Sequence, residues 1–185
     1  MNKLPRSFYS RDTVLVARQL LGKILVRNYK GNTIAGIIVE TEAYRRNDPA
    51  SHTYTGKTER NKAMFGEVGR AYIYMIYGVH YCVNAVARSG KYEAGGVLVR
   101  ALKPETGLDI MKRNRQTKNF KNLANGPAKL TQALMITQKQ YATDLTKAGD
   151  LFIAEGLAHQ PKIQAGPRIG ISKARDKMWN FKIDL

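Results

Sequence analysis

Cysteine is almost missing from this chain. Cys82 is the only one in 185 residues, so no internal disulfide can form. Histidine is scarce as well: His52, His80 and His159 are scattered, without the clustered spacing of a zinc site. The expectation is a protein with no metal and no cofactor. No apolar run reaches the roughly 18 residues of a membrane span, and the opening MNKLPRSFYS lacks the apolar segment of a secretory leader. A cytoplasmic protein without a membrane partner follows as the expectation. Acid is the other shortage. Lysine and arginine total 31 against 14 aspartates and glutamates, a formal net charge of +17. Such an excess repels itself in a compact chain, and its usual counterpart is a polyanion. Nucleic acid is the first candidate, an anionic membrane surface the second, and a merely solubilising basic surface the third.

Hydrophobic residues make up 43% of the chain, enough for a core, and the length suits one domain over residues 1–185. SRDTVLVARQLLG reads as a helix: Ser10 can cap it, Asp12 complements its positive end, and Gly22 stops it. KILVRN and GNTIAGIIVETEAY read as two strands around the turn YKGN. Strict alternation in the second puts Ile38, Glu40, Glu42 and Tyr44 on one face, and Ile37, Val39, Thr41 and Ala43 on the other. Residues 45–62 form a polar, turn-rich loop of a length that is usually functional or disordered. RAYIYMIYGVHYCVNAVA marks two strands around the tip YGVH, and GGVLVRAL a further strand. PETGLDIMKRNRQ reads as a helix with Pro104 near its start, and NGPAKLTQALMI as another with Pro127 in its first turn. Short strands and turns complete one mixed α+β domain.

Glu40 and Glu42 are out of keeping with so basic a chain. Two parallel side chains on one strand face cannot flank a bond from opposite sides, which excludes a retaining-glycosidase pair. One carboxylate acting as general base on water is simpler to build. Tyr72 and Tyr81 read as core aromatics. Tyr77, at a hairpin tip that would normally meet solvent, is suited to entering a base stack. His52 lies in a polar loop rather than on an apolar face, and Asn84 reads equally as a satisfied strand residue. The run Lys112 to Lys121 reads as a solvated helix end that touches phosphates.

VETEAY, PASHTYTGKT, NKAMF, AYIYMIYGVHYCVN, GGVLVRALKP, NGPAKLTQAL and PRIGI, in this order, together resemble the alkyladenine (3-methyladenine) DNA glycosylase family, from about Leu4 to Ile183. The resemblance implies a curved, largely antiparallel sheet with flanking helices and a protruding hairpin that inserts into DNA. It implies Glu42 as general base, Arg100 and the backbone carbonyl of Ile169 as anchors of the attacking water, and Tyr44, His52 and Tyr74 as the walls reading a flipped base. Asn84 corresponds to the residue at the pocket floor that obstructs the 2-amino group of guanine. Tyr77 corresponds to the side chain that fills the vacated stack. Beyond it, Val79 and His80 stand where some relatives carry larger or more aromatic groups, which implies a weaker wedge.

The implied activity is hydrolytic excision of alkylated or deaminated purines from damaged double-stranded DNA. The class covers 3-methyladenine, hypoxanthine, ethenoadenine and 7-methylguanine, and release leaves an abasic site. No lysine is implicated as a nucleophile, so no strand-cleaving step is expected, and a monomer suffices. The competing reading is a non-catalytic basic nucleic-acid-binding protein that uses the hairpin as a minor-groove wedge. Glu42 beside an aromatic pocket favours the enzyme.

Overall fold

The computed structural model describes residues 1–159 and 161–185. Two helices open the chain, α1 (Arg6–Tyr9) and α2 (Thr13–Leu20). Asp12, not Ser10, caps α2: its side chain accepts from the amides of Val14 (3.0 Å) and Leu15 (3.3 Å). Asp12 has the shorter reach to these unpaired amides and adds a negative charge at the positive helix end. Ser10 belongs to the preceding turn, where its hydroxyl donates to the Arg6 carbonyl. The buried face of α2 is Thr13, Val16, Ala17 and Leu20.

The strands are β1 (Ile24–Tyr29), β2 (Asn32–Arg45), β3 (Ala71–Ile76), β4 (His80–Val86), β5 (Gly95–Thr106), β6 (Leu151–Ala154), β7 (Gln164–Gly166) and β8 (Asn180–Lys182). They form one curled antiparallel sheet in the order β3-β4-β5-β2-β1-β6. The short β8 pairs with the second half of β2, and β7 pairs with β8. Both tight hairpins turn through two residues of positive φ, Lys30 (49°) with Gly31 (75°) and Tyr77 (51°) with Gly78 (71°). This backbone matches the twist of paired strands. Two further helices, α3 (Leu108–Arg115) and α4 (Pro127–Ala133), complete the fold. Among the described residues, no helix is long and apolar enough to cross a membrane.

Pro104 does not open a helix, as its composition suggested. It lies in β5 opposite Gly36, and β4 has by then left the other side of β5, at Gly96–Leu98. A proline is tolerated where no partner needs its missing N–H. Gly36 is equally constrained, since a Cβ there would sit 2.8 Å from the Lys103 carbonyl oxygen.

Strict alternation also fails in β2. The register against β5 shifts between Ile38 and Glu40 and again between Glu40 and Thr41, leaving Val39 on one strand and Arg100 on the other without a direct partner. These irregularities change which side chains face the helices. Ile38 joins Ala43, Val16 and Leu20 in the main core, while Glu40, Glu42 and Tyr44 occupy the opposite face. An extra residue re-aims a strand in this way, and such irregularities gather beside sites.

Candidate active site

The acidic pair sits where the two register shifts meet. Glu42 is fully buried and Glu40 largely so. Glu42 Oε1 accepts from the Ile169 amide at 2.7 Å and from Asn180 Nδ2 at 3.1 Å. Oε2 accepts from the Tyr44 hydroxyl at 2.7 Å and pairs with Arg100 Nη1 at 3.4 Å. Arg100 Nε and Asn180 Nδ2 also reach Glu40 Oε1, at 3.2 and 2.7 Å. The two carboxylates thus share one guanidinium and one carboxamide, which fixes both in a single geometry. Burial, then the neighbouring Glu42 carboxylate, hold the Tyr44 hydroxyl well above the ordinary phenol range, so it remains a donor.

Beside this group opens a cavity of about 710 Å³ whose walls include Tyr44, His52, Tyr72, Tyr74, Asn84, Arg100 and Ile169. Alternation along β3 places Tyr72 and Tyr74 on one face, with ring centroids 5.4 Å apart and planes inclined by 28°. The His52 ring stands edge-on to Tyr74 at 4.6 Å, and its Nδ1 lies 3.0 Å from the Tyr72 hydroxyl. The loop carrying His52 is pinned from within: the buried Asn61 donates to the carbonyls of His52 (2.8 Å) and Gly56 (2.9 Å). Burial, and then the charge of Arg60, push His52 below the ordinary imidazole range and keep it neutral near pH 7. Asn84 is buried and donates to the Tyr72 carbonyl at 3.1 Å.

The hairpin tip is the most exposed apolar surface at the cavity. Tyr77 is 89% and Val79 69% exposed, and His80 is exposed beside them. A tyrosine at φ 51° carries a backbone cost that glycine would not.

The sequence matches the family described as methylpurine-DNA glycosylase over residues 7–184. A provisionally named 3-methyladenine DNA glycosylase of Carboxydothermus hydrogenoformans is 49% identical over 180 residues, covering 96% of this chain and 93% of that protein. A protein of the same name from Methanoculleus marisnigri is 50% identical over 184 residues, with 96% and 93% covered. Another, from Clostridium acetobutylicum, is 44% identical over 195 residues, with 98% and 94% covered. This chain belongs to the methylpurine-DNA glycosylase family.

In this DNA glycosylase the structure brings Glu42, Tyr44, His52, Tyr74, Asn84, Arg100 and Ile169 to one cavity and its wall, with Tyr77 on the rim. Val79 and His80 lie outside that lining, on the hairpin tip. At Ile169 the amide N–H donates to Glu42, a contact separate from the carbonyl that the resemblance implies as an anchor of the water. Several residues were not found by sequence reasoning. Asn180 lies 138 positions from Glu42 and has no motif of its own. Tyr72 was read as core, and is buried, yet its hydroxyl meets His52. Asp48 and Arg168 form an ion pair with both side chains at 0% exposure. Arg168 lies over the Tyr44 ring at 4.7 Å and immediately precedes Ile169. Their presence in NDP and PRIG was visible, but nothing in either stretch indicates the partner. The basic end of α3 carries Lys112, Arg113 and Arg115, of which Arg113 is exposed and Arg115 is tied back to Gln132.

Proposed function

We propose that this protein is a monofunctional DNA glycosylase that extrudes alkylated or deaminated purines from duplex DNA and hydrolyses the C1′–N9 bond. Its proposed range is 3-methyladenine, hypoxanthine, ethenoadenine and 7-methylguanine. The observation that carries the reading is a buried carboxylate, Glu42, held by Arg100, Asn180 and the Ile169 amide directly behind Tyr44, Arg100 and Ile169, which line an aromatic cavity. As the bond lengthens, its electron pair leaves with the base and positive charge grows on the deoxyribose. The Glu42 carboxylate stabilises that charge and accepts the proton of the water whose oxygen bonds to C1′. Arg100 and the backbone at Ile169 orient the water.

Extrusion costs roughly a few kcal/mol, and stacking on the aromatic walls returns about 1–3 kcal/mol per base. His52 Nδ1 lies 3.0 Å from the Tyr72 hydroxyl, and in the tautomer that accepts from that hydroxyl the imidazole hydrogen sits on Nε2. That donor suits O6 of hypoxanthine or a ring nitrogen of an etheno adduct, and not the amino group of adenine. A neutral ring also adds no further positive charge, beside Arg60, Arg100 and Lys173, against cationic alkylated purines. Lys173 is on the cavity lining but is exposed, so it lacks the desolvation that activates an amine nucleophile; this supports release without a lyase step. The basic surface supplies phosphate affinity that is independent of sequence. The proposed setting is a monomer acting on chromosomal DNA in the cytoplasm.

The test is a panel of duplexes that each carry one damaged purine, incubated with protein and then treated with alkali. Strand breakage at the damaged position is expected, and none without alkali. A panel left intact after alkali would sink the catalytic reading in favour of a non-catalytic wedge.

Two variants probe the assignments. Tyr77→Ala is expected to weaken lesion-duplex binding by about tenfold or more, since the ring replaces stacking worth about 1–3 kcal/mol, while plain duplex loses far less. Equal losses on both duplexes would remove the wedge role. Hypoxanthine and guanine differ chiefly by the 2-amino group, and a clash or unpaired polar group at that edge costs about 1–3 kcal/mol. Asn84→Ser shortens the obstacle and is expected to raise guanine release relative to hypoxanthine release in single-turnover assays. An unchanged ratio would leave Asn84 a strand residue bonded to Tyr72 and nothing more.

A further inference from the structure

Glu42 is placed to act on water, yet its two oxygens are both occupied. The Ile169 amide (2.7 Å) and Asn180 (3.1 Å) meet Oε1, and the Tyr44 hydroxyl (2.7 Å) and Arg100 (3.4 Å) meet Oε2. The residue has no exposed surface at all, although Tyr44, Arg100 and Ile169 line the cavity. A water that gives a proton to this carboxylate must come within about 2.6–3.2 Å of an oxygen. Because the carboxylate has no exposed surface, one of the groups around it has to move to admit that water.

The four occupants differ in how they are held. The Ile169 amide belongs to a backbone segment tied down by the buried Arg168, which donates to the Ala43 carbonyl at 2.9 Å and pairs with Asp48. Asn180 is buried and holds Glu40 at 2.7 Å. Arg100 is anchored to the same Glu40 through Nε at 3.2 Å. Tyr44 is held differently. Among the described residues, its hydroxyl makes one hydrogen bond, the one to Glu42, and its ring is a wall of the cavity. Arg168 packs over that ring at 4.7 Å without lining the cavity itself, so the ring has one supported side and one that a base can press.

We propose that the Tyr44 hydroxyl is a specificity-determining cap on Glu42, closed in the free protein and displaced when an extruded base stacks on the Tyr44 ring. The proposal rests on the glycosylase reading above. Stacking tilts the ring, the hydroxyl leaves Oε2, and the water takes its place beside Arg100. A base that fills the cavity and stacks well opens the cap. A base that enters briefly or fits poorly leaves it shut, so hydrolysis depends on occupancy as well as on encounter. This matters for a protein that meets undamaged purines in vast excess. A hydrogen bond to a charged group, as from Tyr44 to Glu42, corresponds to about ten- to a hundredfold in an equilibrium, and this is the extra discrimination the cap can supply.

Tyr44→Phe keeps the ring and removes the hydroxyl. The experiment measures single-turnover release of hypoxanthine and of undamaged adenine from otherwise identical duplexes, with unfolding midpoints recorded alongside. The ratio of hypoxanthine to adenine release is expected to fall about tenfold or more, because adenine no longer has a cap to open. Incorporating 4-aminophenylalanine at position 44, which restores a donor at the same reach, is expected to restore the wild-type ratio. Should the phenylalanine variant be unstable, Tyr44→Trp provides a second ring without that hydroxyl and should lower the ratio likewise. Rates on both bases that fall by a common factor, leaving the ratio unchanged, would overturn the cap while the wild-type rate on hypoxanthine still upheld the glycosylase. A wild-type protein releasing no damaged base would instead dispose of both.

Discussion

Replacing Glu42 by glutamine is expected to slow base release by about 10²–10⁴-fold while duplex binding persists, the range that a positioned general base commonly contributes. The substitution is nearly isosteric, so its effect on the surroundings can be worked out. Glutamine has one acceptor oxygen where the carboxylate has two, and four donors converge on this side chain. Its oxygen is expected to stay with the Ile169 amide and Asn180, the two contacts held most firmly. Its NH₂ then faces the Tyr44 hydroxyl, which can turn to accept, and Arg100, which cannot. Arg100 keeps its bond to Glu40, so the cavity retains its shape and a flipped base can still stack. Binding therefore survives. What disappears is the group proposed to take the water's proton and face the positive sugar. Single-turnover rates separate this loss from any change in affinity. A glutamine variant that releases base at the wild-type rate would take Glu42 out of the chemistry and leave Glu40 as the carboxylate to test next.

The strands and both tight hairpins were legible because their signals are local. Alternating apolar residues, YKGN and YGVH each specify a short stretch of backbone without reference to anything distant. The acids Glu40 and Glu42 on a strand face and the ring of Tyr77 at a tip were conspicuous for a similar reason, whereas the choice of Glu42 and the place of Tyr44 came from the resemblance to the family. The register shifts at Val39 and Arg100 were not. They follow from how β2 and β5 pair, and the sequence of either strand alone reads as a regular alternation. Ile38 was consequently put on the wrong face. Pro104 gave a misleading local cue, because its place in a strand depends on β4 having diverged by that point. Asn180 and the pair Asp48–Arg168 were invisible on the same grounds, with partners more than a hundred positions away. What supports the site is long-range; what touches the substrate in the proposed reaction is mostly local.

Asp48→Ala is expected to destabilise the fold by about 3–5 kcal/mol, since removing one partner of a buried ion pair leaves the other charge uncompensated. Arg168 would keep its bonds to the carbonyls of Ala43 (2.9 Å) and Ala174 (3.4 Å), but its guanidinium would have no anion and no exposure to water. Lys177, which lies 3.7 Å from Asp48 Oδ1, would then face a second cation across the vacated space. Urea unfolding at neutral pH measures the loss, and a midpoint unchanged from wild type would show that the pair is not buried in solution. Base release is expected to fall as well, because Arg168 ties the segment whose next amide, that of Ile169, sits on Glu42. A double variant separates the two effects. Asp48→Leu with Arg168→Met removes both charges and fills the space with apolar atoms, and exchanges of this kind are often neutral or stabilising. Stability is expected to return with it. Release is not, because methionine cannot donate to the Ala43 and Ala174 carbonyls or lie as a cation over the Tyr44 ring. Recovery of both would reduce the pair to a stabilising contact. Recovery of stability alone would show that these two buried charges are retained for placing Ile169 and Tyr44 against Glu42.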